Sequence, residues 1–258
     1  MNYLTVAEAR ARSGLRLVLS AHVPGPWGEA AKAVFAVRGV AVQPVAQEVF
    51  GDNDDLHAWT GHRNAPIAVL DDEPPVAGWL DLLMLAERLG EGPSLLPDGS
   101  ADRALVLGLS AEICAPHGFG WARRLLMLGS RFGGADPPPG TPASILAACR
   151  RYGYGAAAVA NAPARMADIL RTLTAQLDRQ RASSSPYLVG ERLTACDLYW
   201  SCFSNMVAPL PPADAPMPDA IRDGYGALDP AVAAALDPAL LAHRDFIYRH
   251  HIGLPLDF

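Results

Sequence analysis

Residues 64–89, NAPIAVLDDEPPVAGWLDLLMLAERL, decide the fold. Asn64, Ala65 and Pro66 supply a turn. Ile67 to Leu70 form an apolar run too short for anything but a buried strand. Pro66 stands directly before it. Proline has no N–H to give a ladder, so it belongs at a strand's first residue or on an edge. Asp71 to Pro75 read as an acidic turn, with a short return strand near Pro75. Val76, Trp79, Leu80, Leu83 and Leu85 then mark the apolar face of a helix. Upstream, Leu15–Leu19 predict a first strand, Gly28–Arg38 a helix stopped at Gly39, and Val40–Val45 a second strand. Strand, helix and strand in that order imply a parallel, right-handed unit. Thr5 to Arg12 suit a short leading helix, and one helical turn fits around Leu56.

Beyond the Gly- and Pro-rich stretch 90–99 the pattern is helical. It predicts a long helix over 101–128, with a break at Pro116-His117-Gly118. Further helices are predicted over 145–152, 166–181, 197–207, 230–236 and 238–250. The Pro-rich stretch 209–218 reads as a stiff crossing segment. Tyr187 to Leu198 read YLVGERLTACDL. Within it, Thr194 and Asp197 have the spacing of a capping box, with Asp in the usual Glu/Gln place. The threonine hydroxyl faces the N–H of Asp197, and the carboxylate reaches back to the N–H of Thr194.

Together, the proline–strand–turn–helix order and YLVGERLTACDL resemble the glutathione transferases, over nearly the whole chain from about Leu15. The resemblance implies an α/β thioredoxin-like N-terminal domain followed by an all-α C-terminal domain. The expected division is 1–90, with 1–14 a leading extension, then a linker over 91–100 and a helical domain over 101–258. Glutathione is the implied co-substrate. Asn64, Ala65 and Pro66 would hold it through a cis Ala65–Pro66 bond, Ala65 offering its main chain to the tripeptide from a groove between the domains, as an added strand would. A helix start at Ala77-Gly78 or Gly78-Trp79 would take the γ-glutamyl end. The family's acid-Ser pair is missing there. Backbone N–H groups from Val76 to Gly78 can still bind an anion, and Asp81 lies one turn on. The implied reaction joins the glutathione thiolate to a small apolar electrophile, as in detoxification. The implied setting is a cytoplasmic homodimer, with the 102–128 helix as its contact surface. Two alternatives share the fold: a non-catalytic binding or scaffold protein, and a glutathione-dependent isomerase or reductive-cleavage enzyme.

The expected thiolate site departs from the family. Gly25-Pro26-Trp27-Gly28-Glu29 resembles the Cys-Pro-Phe-x-Glu motif of omega-type enzymes, with Gly25 at the cysteine. A protein thiol is therefore not expected to act there. Pro26 suits the first helical position. N–H groups from Trp27 to Glu29 and the helix dipole are left to favour a thiolate, so Gly25 and Trp27 would act through their backbone. Ser20 and His22 are the side-chain alternatives. Phe119, Trp121, Tyr152 and Tyr154 are candidates for an apolar second-substrate pocket between the domains. Plain core is the other reading of such an aromatic set.

Composition narrows the rest. With 258 residues and 50% hydrophobic content, the chain can build one large core or two ordinary ones. The net charge of −6, without a basic stripe, argues against nucleic acid. No apolar run reaches the ~18 residues a membrane helix needs, and the first 14 residues lack the pattern of a secretory signal. Cys114, Cys149, Cys196 and Cys202 form no C-x-x-C and read as small core residues in a reducing compartment. His57 with His62, and His250 with His251, lack partners at metal spacing, so no metal is expected.

Overall fold

Val18 lies at the centre of a three-stranded sheet. The strands are Leu15–Ser20 (β1), Gln43–Gln47 (β2) and Ile67–Leu70 (β3), in the order β2-β1-β3. β1 runs parallel to β2, pairing Val18 with Val45, and antiparallel to β3, pairing Val18 with Ile67. Between β1 and β2 runs the helix Pro26–Val37 (α2), which completes the expected parallel strand–helix–strand unit. The structure, a computed structural model, describes residues 1–258.

β2 begins later than the sequence suggests, at Gln43 rather than Val40. The reason lies in how α2 ends. Gly39 takes φ +70, and the N–H of Val40 reaches back to the Phe35 carbonyl at 2.9 Å. That closure spends Val40 on the helix end. Leu4 adds a bridge to the free edge of β2, bonding Pro44 and Ala46. The short helix Val6–Arg10 (α1) follows, closed by a Thr5–Glu8 capping box. The turn near Leu56 is a full helix, Asp54–Thr60 (α3). Val76 supplies the return strand as a single bridge to Ala68, and Trp79–Leu89 (α4) follows. Ala9, Val18, Val45, Leu56, Ile67 and Val69 form the core on one face of the sheet.

The first of two units comprises Met1–Leu95 together with Leu210–Pro218 and Arg249–Phe258. The two late segments differ from the division expected at residue 90. Leu256 is buried and its N–H meets the Asp214 carbonyl at 2.7 Å. Lys32 Nζ meets the Asp257 carbonyl at 2.5 Å, and the Met1 amine pairs with the Asp257 carboxylate. Nor is the start of the linker loose. Buried Arg38 donates to the carbonyls of Gly90 and Gly92, and a Cβ on either glycine would lie 2.5 Å from Val37 or Arg38 atoms. These glycines permit a close approach of backbones as well as a bend.

The second unit, Leu96–Pro209 with Asp219–Tyr248, is all helical. Its helices are Ser100–Cys114 (α5), Phe119–Phe132 (α6), Ala143–Tyr152 (α7), Ala156–Ala182 (α8), Ala195–Ser204 (α9), Asp219–Gly226 (α10), Pro230–Ala235 (α11) and Pro238–Ile247 (α12), the last running into a π turn over Tyr248–Ile252. The long helix expected over 101–128 does break at Pro116-His117-Gly118. α8 starts ten residues earlier than expected and carries Pro163 inside it. α10 has no counterpart in the sequence reading. Its eight residues carry two glycines, so local propensity argues against it. Tertiary contact overrides that: buried Arg123 on α6 donates to the carbonyls of Gly224, Tyr225 and Ala227, and a cation there suits the carbonyl end of a helix.

Candidate functional site

Sheet register brings three chain segments to one end of the sheet. β1 and β3 pair from Leu15–Leu70 to Val18–Ile67. Carried on in the same register, Ala65 falls across from Ser20, where the chain leaves β1 for the start of α2. The bridge of Ala68 with Val76, carried on likewise, sets Gly78 across from Pro66. The starts of α2 and α4 therefore share one sheet end with the Ala65–Pro66 step, which is cis as expected. The main-chain N–H and C=O of Ala65 make no hydrogen bond within the chain. Asn64, Ala65 and Pro66 are half-buried, and Ala77 is exposed.

Both helix starts lack a side-chain cap, because both caps are glycine: Gly25 for α2 and Gly78 for α4. At α2, Pro26 holds the first helical position. The N–H of Gly25 goes to the Val23 carbonyl at 2.8 Å. Contrary to expectation, the N–H of Glu29 is spent on the Gly25 carbonyl at 2.9 Å, so it cannot meet a thiolate. The N–H of Gly28 makes no bond. Ser20 Oγ donates to Gln47 Oε1 at 2.8 Å, so the hydroxyl already has a local partner. His22 is exposed at φ +62, with its ring 5.8 Å from that of Tyr3. A Cβ on Gly25 would sit 3.9 Å from Ser20 Cβ and Oγ, with room to spare.

At α4, where no acid-Ser pair stands, an acid one turn on comes back to the helix start. Asp81 Oδ2 lies 2.8 Å from where a Gly78 Cβ would be, so the carboxylate folds back over the helix start. Glycine makes room for it. A carboxylate there is favoured by the positive end of the helix and can receive a ligand's ammonium.

Two side chains at the start of α2, Glu29 and Tyr3, have shifted pKa values that no sequence pattern signals. The Glu29 carboxyl is buried and held above the ordinary carboxylate range by desolvation, against the pull of Lys32 at 2.8 Å. The Tyr3 phenol is pushed up to about 12, first by burial and then by the charges of Glu29 and Asp257. Its hydroxyl is buried without a partner. Asp257 lies more than 220 residues away along the chain, and no local pattern signals such a meeting.

The aromatic set of the helical unit makes three ring contacts. Phe119 is fully buried, edge-on to Trp200 at 5.6 Å, and is therefore core rather than a pocket wall. Trp121 meets Tyr152 at 4.7 Å, and Tyr154 meets Phe132 at 5.7 Å. Tyr154 also donates its hydroxyl to the Ala135 carbonyl. All four thiols are buried, and burial pushes those of Cys114 and Cys196 well up. No group of three His, Cys, Asp or Glu side chains is placed to hold a metal. No helix is long and apolar enough to cross a membrane.

The start of α9 is of the opposite kind. Both halves of the Thr194–Asp197 capping box are present. Asp197 is fully buried and accepts from the N–H of Thr194 at 2.8 Å, the Thr194 hydroxyl at 2.7 Å and the N–H of Leu188 at 2.7 Å. His243 Nε2 stands 3.1 Å from the same carboxylate, but too poorly aligned for a hydrogen bond.

Solved structures share this fold. A glutathione S-transferase from Xanthobacter autotrophicus is 20% identical, with a TM-score of 0.57 over 93% of this chain and 96% of that one. One from Methylobacillus flagellatus with glutathione bound is 15% identical, with a TM-score of 0.62 over 92% and 96%. A rice GST in complex with glutathione is 19% identical, with a TM-score of 0.59 over 95% and 94%. No family model matches the sequence, and no curated protein does either. The chain has the glutathione S-transferase fold: a thioredoxin-like N-terminal part followed by a helical one.

Proposed function

We propose that the protein binds glutathione at the β1–β3 sheet end and joins its thiolate to a small apolar electrophile. The observation that carries this reading is the unbonded main chain of Ala65, placed by register beside two uncapped helix starts. An extended tripeptide can pair with Ala65 as a strand would. Its γ-glutamyl ammonium meets Asp81 at the α4 start, and its carboxylate ends are favoured near helix N–H groups. The sulfur falls at the α2 start, near Gly25–Gly28, where the helix dipole favours a thiolate modestly, by about 0.3–1 kcal/mol. Two of the similar structures carry glutathione, which supports the ligand class.

A second reading keeps glutathione and drops conjugation. It is favoured by Ser20, whose hydroxyl is engaged by Gln47, and by the absence of a thiol at Gly25. Retention on immobilised glutathione, with elution by the free tripeptide, tests both readings. Turnover of 1-chloro-2,4-dinitrobenzene separates them. Failure to be retained sinks both. The buried thiols, none joined in a disulfide, suit a reducing compartment such as the cytoplasm. The proposed assembly is a two-fold dimer using α5, where Leu105 is exposed. Light scattering that returned about the chain mass of 27.3 kDa at micromolar concentration would rule it out.

A further inference from the structure

The last residues of the chain do more than trail away from the helical unit. After the π turn, Gly253 takes φ +92, a backbone conformation that side-chain-bearing residues rarely adopt. The chain already belongs to the first unit from Arg249 onward, and it turns at Gly253. It is then fixed at two successive residues. Leu256 is buried and its N–H is bonded to the Asp214 carbonyl within the Pro-rich segment 210–218. That segment is itself anchored by buried Leu210, Ala215 and Met217. One residue on, the Asp257 carbonyl accepts from Lys32 on the second turn of α2. Lys32 also pairs with buried Glu29 on the first turn. Asp257 lies close enough to Glu29 and Tyr3 for its charge to raise both their pKa values. A turn at one end and two fixed points at the other describe a strap laid against the opening turns of one helix.

We propose that residues 253–258 are an intrachain strap that holds the first turns of α2 in place. Because the sulfur of glutathione is assigned to that helix start, release of the strap weakens glutathione binding; this second part rests on the function proposed above. The physical reason is that α2 begins with Gly25 and has no side-chain cap, so its first turn lacks the usual local lock. A strand of chain bonded to Lys32 supplies one from far away. The strap also joins Tyr3, Glu29, Lys32 and Asp257 in one neighbourhood, so its hold is coupled to the charge around Glu29.

Native-state hydrogen exchange of the full-length protein, without ligand, tests the strap directly. Leu256→Asp removes the apolar anchor, and exchange at the α2 amides of Ala30 to Ala33 is expected to rise at least tenfold, while the amides of α8 stay unchanged. Gly253→Val is the second variant. A Cβ there meets nothing within 4 Å, so it perturbs only the turn, and a smaller rise in the same amides is expected. Unchanged α2 exchange in both variants overturns the strap, whether or not glutathione binds. Glutathione titration by calorimetry reads the second part. A tenfold weaker Kd in Leu256→Asp, with the α8 amides still protected, supports the coupling, and an unchanged Kd alongside faster α2 exchange overturns it. If the unaltered protein binds no glutathione while the α2 amides respond, the strap stands and the proposed function falls.

Discussion

Two kinds of helix start coexist in this chain. α9 begins at Thr194 with its own threonine and aspartate closed over the free N–H groups, fully buried. α2 and α4 begin at glycines with no side-chain cap. The first kind bonds the N–H groups of Thr194 and Asp197 from within and buries them. The second leaves such groups open at a sheet end where the main chain of Ala65 is also unbonded. Capping satisfies a helix start from within and stabilises the fold; leaving it open costs stability and creates a place to bind an anion.

The largest effect expected from this contrast lies at α9. Asp197→Ala leaves the buried N–H donors of Leu188 and Thr194 without an acceptor, each worth about 1–3 kcal/mol, and leaves the Thr194 hydroxyl only the Cys196 sulfur, so unfolding free energy in urea should fall by ~3 kcal/mol or more. A loss below about 1 kcal/mol would erase the distinction between the two kinds of start.

At α4 the matching change should spare the fold and harm the ligand. Asp81→Asn should weaken glutathione binding by roughly ten- to a hundred-fold, the worth of a charge-assisted hydrogen bond of about 1.5–3 kcal/mol. The thermal midpoint should stay put. Calorimetric titration checks the affinity, and equal Kd values for both proteins would remove Asp81 from the site.

At α2, Gly25→Cys sharpens the comparison chemically. Gly25 has φ −67 and open space around a Cβ, so the substitution is tolerated. A thiol at an open helix start should titrate below the ordinary value of about 8.5. The rate of alkylation against pH reports it. An ordinary or raised value would mean that this helix start does not favour a thiolate.

Glu29 yields a pH dependence. Its folded-state pKa is raised above the ordinary 4.5 by desolvation, so the folded protein holds a proton that the unfolded chain has released. Stability from this group is therefore greatest below 4.5 and is lost as pH rises through the raised value. Unfolding free energies measured from pH 4 to 7 should show that slope, and Glu29→Gln should flatten it. An unchanged slope would assign the dependence to other groups.

The smallest effect belongs to Ser20. Its bond to Gln47 is a single neutral one, worth about 0.5–1.5 kcal/mol of stability. Ser20→Ala should leave most of the conjugation rate. If it abolished turnover without weakening glutathione binding, the serine would be the thiol-activating group and the helix-start account would be wrong.

What was legible in the sequence was whatever is encoded within a few residues. Ile67–Leu70, the break at Pro116-His117-Gly118, the Thr194–Asp197 box and the uncapped glycine at the head of α2 all follow from local pattern. The expectation that Gly25 stands at a cysteine's position comes from the resemblance to omega-type enzymes. The rest needed the fold. α10 exists because Arg123, about a hundred residues earlier, caps it. Phe119 reads as a pocket residue until Trp200 is seen against it. Asp81 was legible as an acid one turn into α4, but its return over Gly78 depends on a helical turn and a missing Cβ. Leu256 and Asp257 lie more than 220 residues from Lys32, and nothing in either stretch announces the other. Local sequence sets propensity and caps, which act over a turn or two. Partners across the fold are chosen by burial, which depends on every other segment at once.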